Sequence, residues 1–316
     1  MNRSMQDWWQ QTFPTGRQSL KIVDAAGRPV TIAYGEAGAG TPLLLLHGVG
    51  SWSYSWRYNV QPLSQHLRVI CVDAKGYGFS EAMPPPETVG HQVKELAQMI
   101  RALSDQPVAI AAESLGALTA LAVAQAYPQL VDRLIVINVP IFPKELPNWG
   151  MRALSQIPLP LLQWLDDWHV LQPFSPVVEY LTRLVRHEVV IDPASVTDEE
   201  IYWLTYPYLH RRGPLTQFAT DLQQSAEQIQ RCLDQRPNLI SRIQQKLPQT
   251  ICPTLVLWAD QDQWFPVTDG ERLAQQLPNA QFRIIPNCGH VASSGNPEVL
   301  NAAILEFLDS EPLASA

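Results

Sequence analysis

Residues Val108–Tyr127, VAIAAESLGALTALAVAQAY, set an unbroken apolar run directly against a run with helical spacing, and Ala112-Glu113-Ser114-Leu115-Gly116 forms the join. The first run, Val108–Ala112, lacks polar alternation, as expected of a strand buried on both faces. A strand that turns sharply into a helix pushes its corner side chain out at the carboxyl edge of the sheet, beside the free N–H groups of the helix start. A nucleophilic serine suits that corner. Small residues two before and two after Ser114 let the chain double back without a clash. The same serine also reads as an ordinary helix N-cap.

Working outward, short strands and helices alternate. Ser19–Val23 and Val30–Tyr34 read as an opening hairpin around Gly27, Arg28 and Pro29. Leu43–Leu46, Val69–Val72 and Leu134–Val139 are further central strands, and Thr88–Leu103 is a helix with Val89, Val93, Leu96 and Ile100 on one stripe. This rhythm is that of an α/β fold, a mostly parallel sheet flanked by helices. It stops at residue 140. From 140 to 250 no convincing strand appears, and helices such as Pro176–Glu188 and Thr216–Arg231 are expected, separated by Pro193, Pro207 and Pro214. A structureless loop of that length would not fit a compact fold, so the stretch reads as a helical insertion. The alternation resumes with strand Thr254–Ala259, helix Val267–Gln276, strand Gln281–Pro286 and helix Pro297–Leu308. The expected organisation is a core of residues 1–139 and 251–316 interrupted by a helical cap, 140–250.

Composition bounds the function. The 316 residues are 46% hydrophobic and 16% charged, enough for a sizeable core, and the net charge of −8 with no basic run argues against nucleic acid as a partner. Cys71, Cys232, Cys252 and Cys288 are widely spaced, so neither a disulfide framework nor a metal cluster is expected, and a reducing cytoplasm fits best. Met1–Phe13 shows no secretory signal and no run reaches the length of a membrane span. Oligomeric state is not legible.

Partners for Ser114 are sought at other strand ends. His290, in Asn287-Cys288-Gly289-His290, falls between the last strand and the closing helix, unlike His66, His91, His169, His187 and His210. An imidazole with a pKa of about 6.5 takes and returns a proton near neutrality. A carboxylate must fix its tautomer, and Trp258-Ala259-Asp260-Gln261-Asp262 offers two. Asp262 lies further into the loop and is preferred; Asp260 is the second choice, with an Asx turn as its plainer role. An acyl intermediate also needs oxyanion donors, expected from the backbone N–H groups of Leu115 and of Val49 in His47-Gly48-Val49-Gly50. His47 is expected to order that loop. No metal or organic cofactor is required.

These elements resemble the α/β-hydrolase superfamily, in the branch with a helical cap. The likeness rests on the His47-Gly48 turn, Asp73-Ala74-Lys75-Gly76-Tyr77-Gly78-Phe79-Ser80, the Ser114 corner, the Trp258–Asp262 turn, the Gly289-His290 pair and the chain order Ser114, Asp262, His290. It implies an eight-stranded core with a lid inserted after the sixth strand, and it assigns the acid to Asp262. Ala112 and Ala259 stand where the family commonly has glycine. The Asp73–Ser80 segment reads as a structural turn, and Glu113 as a group bonded within the fold.

Within that resemblance, a corner serine rather than aspartate favours acyl chemistry. The expectation is hydrolysis of a carboxylic ester or thioester of an apolar small molecule. Alternatives are a carbon–carbon bond hydrolase of ring-cleavage products, using Arg57 or a cap arginine such as Arg183 for the substrate carboxylate, a cofactor-free haloperoxidase or perhydrolase, and a non-catalytic ligand-binding protein. His47, Gly48, Trp52, Trp56, Trp264 and Phe265 are expected to line the pocket, with Tyr54 beside them. Trp149, Trp164, Trp168 and Trp203 read chiefly as the core of the cap.

Overall fold

The computed structural model describes residues 7–310. Eight strands form one sheet: β1 (Gln18–Val23), β2 (Pro29–Ala37), β3 (Pro42–Leu46), β4 (Arg68–Val72), β5 (Val108–Glu113), β6 (Val131–Ile137), β7 (Thr254–Ala259) and β8 (Ala280–Ile285). Their order is β1-β2-β4-β3-β5-β6-β7-β8. The pairs β1/β2 and β2/β4 are antiparallel, and every other pair is parallel. Alternate side chains of β3 enter opposite cores: Leu44 and Leu46 join one, Leu43 and Leu45 the other. The two-residue period of a strand thus explains why an unalternated leucine run belongs in the middle of the sheet.

Four helices precede the sixth strand: α1 (Trp8–Thr12), α2 (Val60–Ser64), α3 (His91–Leu103) and α4 (Ser114–Ala126). The expected start of α3 at Thr88 is corrected to His91. Gly90 takes a left-handed conformation (φ 75°) and leaves Val89 outside the helix and exposed, while Leu96 and Ile100 still face the core. The N-terminal residues expected to lack a signal fall partly, at 1–6, outside the described residues.

Between β6 and β7 lie only helices among the described residues: α5 (Trp149–Ser155), α6 (Leu159–Asp167), α7 (Ser175–Val189), α8 (Asp198–His210), α9 (Pro214–Leu233) and α10 (Leu239–Gln245), with short 3₁₀ turns. Three more, α11 (Val267–Gln276), α12 (Ala292–Gly295) and α13 (Pro297–Asp309), follow β7 among the described residues. Pro214 opens α9, where its missing N–H costs nothing. Pro207 does not separate helices, as expected from sequence, but lies inside α8. A proline there leaves the carbonyl four residues back without its helical donor. That carbonyl, on Trp203, instead accepts the indole N–H of Trp52 at 2.9 Å.

Helix α9 is tied to the loop after β4 and to α3 by buried polar contacts. Asp221 of α9 accepts bonds from the Tyr77 hydroxyl (2.7 Å) and Gln92 (2.9 Å), and His91 Nε2 lies 3.4 Å away. On its other side His91 Nδ1 meets Glu95 at 2.9 Å. Beneath them the buried Lys75 ammonium contacts Glu95 (2.5 Å) and Glu87 (2.9 Å). Burial alone would depress His91, but Asp221 and Glu95 overcome it and raise its pKa to about 9. A folded-state value above the unfolded 6.5 means that protonated His91 adds stability in full below pH 6.5, and that this stability is lost as pH rises through about 9. The melting temperature of the native chain minus that of His91→Gln should therefore shrink across this window in a thermal-unfolding series. Parallel curves would contradict the assignment.

Candidate active site

Ser114 opens α4 immediately after β5 and has a left-handed backbone (φ 52°), a conformation that a non-glycine residue holds only when its surroundings enforce it. The enforcement is close packing against the loop after β3. A Cβ on Gly116 would stand 2.4 Å from the His47 carbonyl oxygen, and one on Gly48 would stand 3.0 Å from Ser114 Cβ. Glycine at these positions lets the two loops approach each other.

His290 Nε2 lies 3.2 Å from Ser114 Oγ, and His290 Nδ1 lies 2.8 Å from Asp262 Oδ2. The other Asp262 oxygen accepts the backbone N–H groups of Trp264 (2.8 Å) and Phe265 (3.1 Å), so the carboxylate is held on both sides. Asp260 does not reach the imidazole. Its carboxylate accepts the N–H groups of Asn287 and Cys288, both at 3.0 Å, and orders the loop that carries His290. The ring of Trp264 lies 4.6 Å from that of His290, and Phe265 lies 5.4 Å away on an edge.

His47 sits behind this arrangement. Burial brings its pKa down to about 4, only partly offset by its bond to the Gly48 carbonyl, so the ring is neutral. Its Nδ1 side meets Gly48 O at 2.8 Å, while Nε2 accepts the Ala74 N–H at 3.0 Å. The ring thereby fixes the turn bearing Val49. In the neighbouring Asp73–Ser80 turn, the Asp73 carboxylate accepts bonds from Ser53 and Phe79 and serves structure.

A cavity of about 620 Å³ opens onto Ser114 and His290, with Gly48, Val49 and Trp264 in its wall. A smaller one of about 100 Å³, bounded by Leu115 and Phe265, meets Ser114 on another side. Trp52 and Trp56 line neither cavity: both are completely buried in the core cluster that also contains Trp8 and Trp9. Tyr54 stacks on Trp52 in the same cluster. From that segment Ser51, Ser55 and Arg57 face the large cavity instead. The tryptophans of the insertion are also corrected. Trp149, Trp164 and Trp168 are 64%, 52% and 72% exposed, and Trp203 packs into the aromatic core rather than into a core of the insertion.

One wall of the large cavity is polar. Arg186 from α7 and Arg57 share Glu200 of α8 at 2.5 and 3.0 Å, and Arg186 also donates to Ser294 Oγ at 3.0 Å. Arg186 Nε is buried with no hydrogen-bond partner among the described residues. Arg183, the cap arginine singled out from sequence, instead bonds Val196 O and Asp198 outside the cavity. Sequence reading missed Arg186 because both arginines lie in α7 and only helix phase separates them. Leu154, Leu171, Phe174 and Leu181 make another part of the wall apolar.

For metals, Glu87, His91 and Glu95 converge within 4.8 Å, but Lys75 already bridges both carboxylates. All four cysteines are free thiols. No helix among the described residues is long and apolar enough to cross a membrane.

Comparison with known proteins places this geometry in context. A 2-hydroxy-6-oxononadienedioate/2-hydroxy-6-oxononatrienedioate hydrolase of Cupriavidus pinatubonensis is 28% identical over 286 residues, covering 86% of this chain and 89% of that protein. A meta-cleavage product hydrolase from Pseudomonas fluorescens superposes with a TM-score of 0.70 at 21% identity, over 92% of this chain and 97% of the other. An esterase from Thermogutta terrifontis gives 0.68 at 23% identity, over 92% and 98%. The sequence profile described as alpha/beta hydrolase fold matches residues 41–297, most of the chain. With the eight-stranded sheet in place, the chain belongs to the alpha/beta hydrolase family and is an enzyme of that family.

Proposed function

We propose that the protein is a serine hydrolase that cleaves a carbon–carbon bond next to a ketone in a small substrate bearing a carboxylate. In this reading Ser114 Oγ attacks the carbonyl carbon as His290 Nε2 takes its proton. Asp262 holds the imidazole tautomer and offsets the imidazolium charge. The developing oxyanion is received by the N–H groups of Val49 and Leu115. Collapse breaks the bond to the leaving group, which takes the proton from His290 and leaves an acyl-serine. Water, deprotonated by His290, then attacks the acyl-serine and restores Ser114. A carbon leaving group departs only if its electron pair is delocalised, so a 2-hydroxydienoate must first ketonise, losing its enol proton and gaining one at the carbon next to the ketone; the pair released on cleavage then spreads over the 2-oxo-enoate.

The observation that carries this choice over an ester is the pair of arginines, Arg57 and Arg186, set beside Glu200 and the buried Glu113 in the cavity wall. Two guanidiniums share one carboxylate in the cavity of Ser114, leaving a buried donor of Arg186 for an anionic group. The names of the relatives, hydrolases of hydroxy-oxo-dienedioates, support the same substrate class. An apolar ester is the second reading, favoured by the apolar side chains elsewhere in the wall. The helical stretch 140–250 acts here as a cap that supplies Arg186 and Glu200 over the core. Free thiols suit a reducing cytoplasm, where we place the enzyme.

Assay with 2-hydroxy-6-oxononadienedioate, followed by loss of dienol absorbance, should give a kcat/KM that exceeds p-nitrophenyl butyrate by about 100-fold. Arg186→Met should raise KM for the dienedioate about tenfold or more, the loss expected of a buried charge-assisted hydrogen bond, and spare the ester. Ester turnover without dienedioate cleavage would establish the second reading instead. Ser114→Ala should abolish both activities while keeping the melting temperature. Asp262→Asn should lower kcat by about 1000-fold or more, whereas Asp260→Asn should cost less than about tenfold. The reverse ranking would exchange their roles.

A further inference from the structure

Asp262 sets the rotation of the His290 ring, but the distance from Nε2 to Ser114 depends on where the backbone of residue 290 sits. Two buried side chains outside the triad hold that backbone. Asn138 directly follows β6, is completely buried and adopts a left-handed backbone (φ 50°). Its Nδ2 donates to the His290 carbonyl at 2.6 Å, and its Oδ1 accepts the Ala259 N–H at 2.9 Å. One planar amide therefore spans the end of β7, where the Asp262 loop begins, and the residue that bears the imidazole. Glu113, next to Ser114, holds the same loop three residues further on. Its two oxygens accept the backbone N–H (2.6 Å) and the hydroxyl (2.8 Å) of Ser293.

The chemistry of each position matches its task. Residue 138 needs a donor and an acceptor on one rigid group, which an amide has and an ionised carboxylate lacks. Residue 113 faces two donors and needs two acceptors, which a carboxylate has and an amide lacks. Both are buried in a low dielectric, where each bond is stiff and a lost partner is costly. Resting on the reading of Ser114 and His290 as the reacting pair, we propose that Asn138 and Glu113 are positioning residues that clamp the His290 loop to the ends of β5, β6 and β7 and so set the serine–imidazole distance.

The test uses the labelling of Ser114 by a fluorophosphonate, which needs no knowledge of the substrate. Asn138→Asp keeps the acceptor for Ala259 and loses the donor to His290; Asn138→Gly keeps the left-handed backbone and loses both. Glu113→Gln keeps one acceptor. Asn301→Ala is the control: it breaks a buried 2.8 Å bond to Asn59 away from the site. The clamp variants should lower the maximal labelling rate about 10- to 100-fold, the cost of a misplaced catalytic group, with the half-saturating probe concentration unchanged. Asn301→Ala should lose melting temperature but keep its labelling rate. Wild-type labelling rates in Asn138→Gly and Glu113→Gln, or losses no larger than in Asn301→Ala, would overturn the clamp. An unlabelled wild-type protein would overturn the reading of the Ser114–His290 pair beneath it.

Discussion

The structure depends on one backbone constraint, the left-handed turn at Ser114 where the central strand β5 becomes α4. That conformation is disfavoured for serine by roughly 1–3 kcal/mol, so the surrounding packing must supply what the residue loses. Gly116 and Gly48 supply it by letting the elbow and the β3 loop approach more closely than a Cβ allows. The same approach brings the β3 loop, at Gly48, against the serine side chain. The strained backbone at Ser114 and the close approach of the β3 loop thus share one cause.

Around this turn, the parallel strands deliver the other groups to the same rim. Asp262 follows β7, His290 follows β8 and Asn138 follows β6. Parallel strands all end on one edge, so residues far apart in sequence become neighbours without long loops. Helices α5 to α10 follow β6 and precede β7 in the chain, leaving from that same edge, and α7 and α8 bring Arg186 and Glu200 to the cavity. The contacts of Asp221 with Tyr77 and His91 are buried, while Trp164 of α6, Trp168 just beyond its end and Tyr180 of α7 are exposed.

Much of this was legible in the sequence because it is local. Unalternated apolar runs identified the central strands, and the strand-to-helix join identified Ser114. Chain order then placed an acid and a histidine after later strands. The choice between Asp260 and Asp262 was legible only as a matter of reach, and the structure separates them by what each bonds. Side-chain facing in irregular segments was not legible. Trp52 and Trp56 lie around a single 3₁₀ turn, too short to show a period, and their burial is set by Trp8, Trp9 and Trp203 from distant parts of the chain. Exposure of Trp149, Trp164 and Trp168 runs against composition, since no local pattern says which helix face lacks a neighbour. Arg186 and Arg183 differ by less than one turn of α7, and only the placement of α8 decides which of them enters the cavity. Asn138 was the one polar residue within the expected strand Leu134–Val139, and β6 in fact ends before it, at Ile137.

The most direct test of the central claim is a crystal structure of the protein inactivated by an alkyl fluorophosphonate, a stable mimic of the tetrahedral intermediate. The account predicts phosphorus bonded to Ser114 Oγ, the phosphonyl oxygen between the N–H groups of Val49 and Leu115, and His290 Nε2 facing the ester oxygen. An adduct on another side chain, or a phosphonyl oxygen turned away from those two N–H groups, would contradict it.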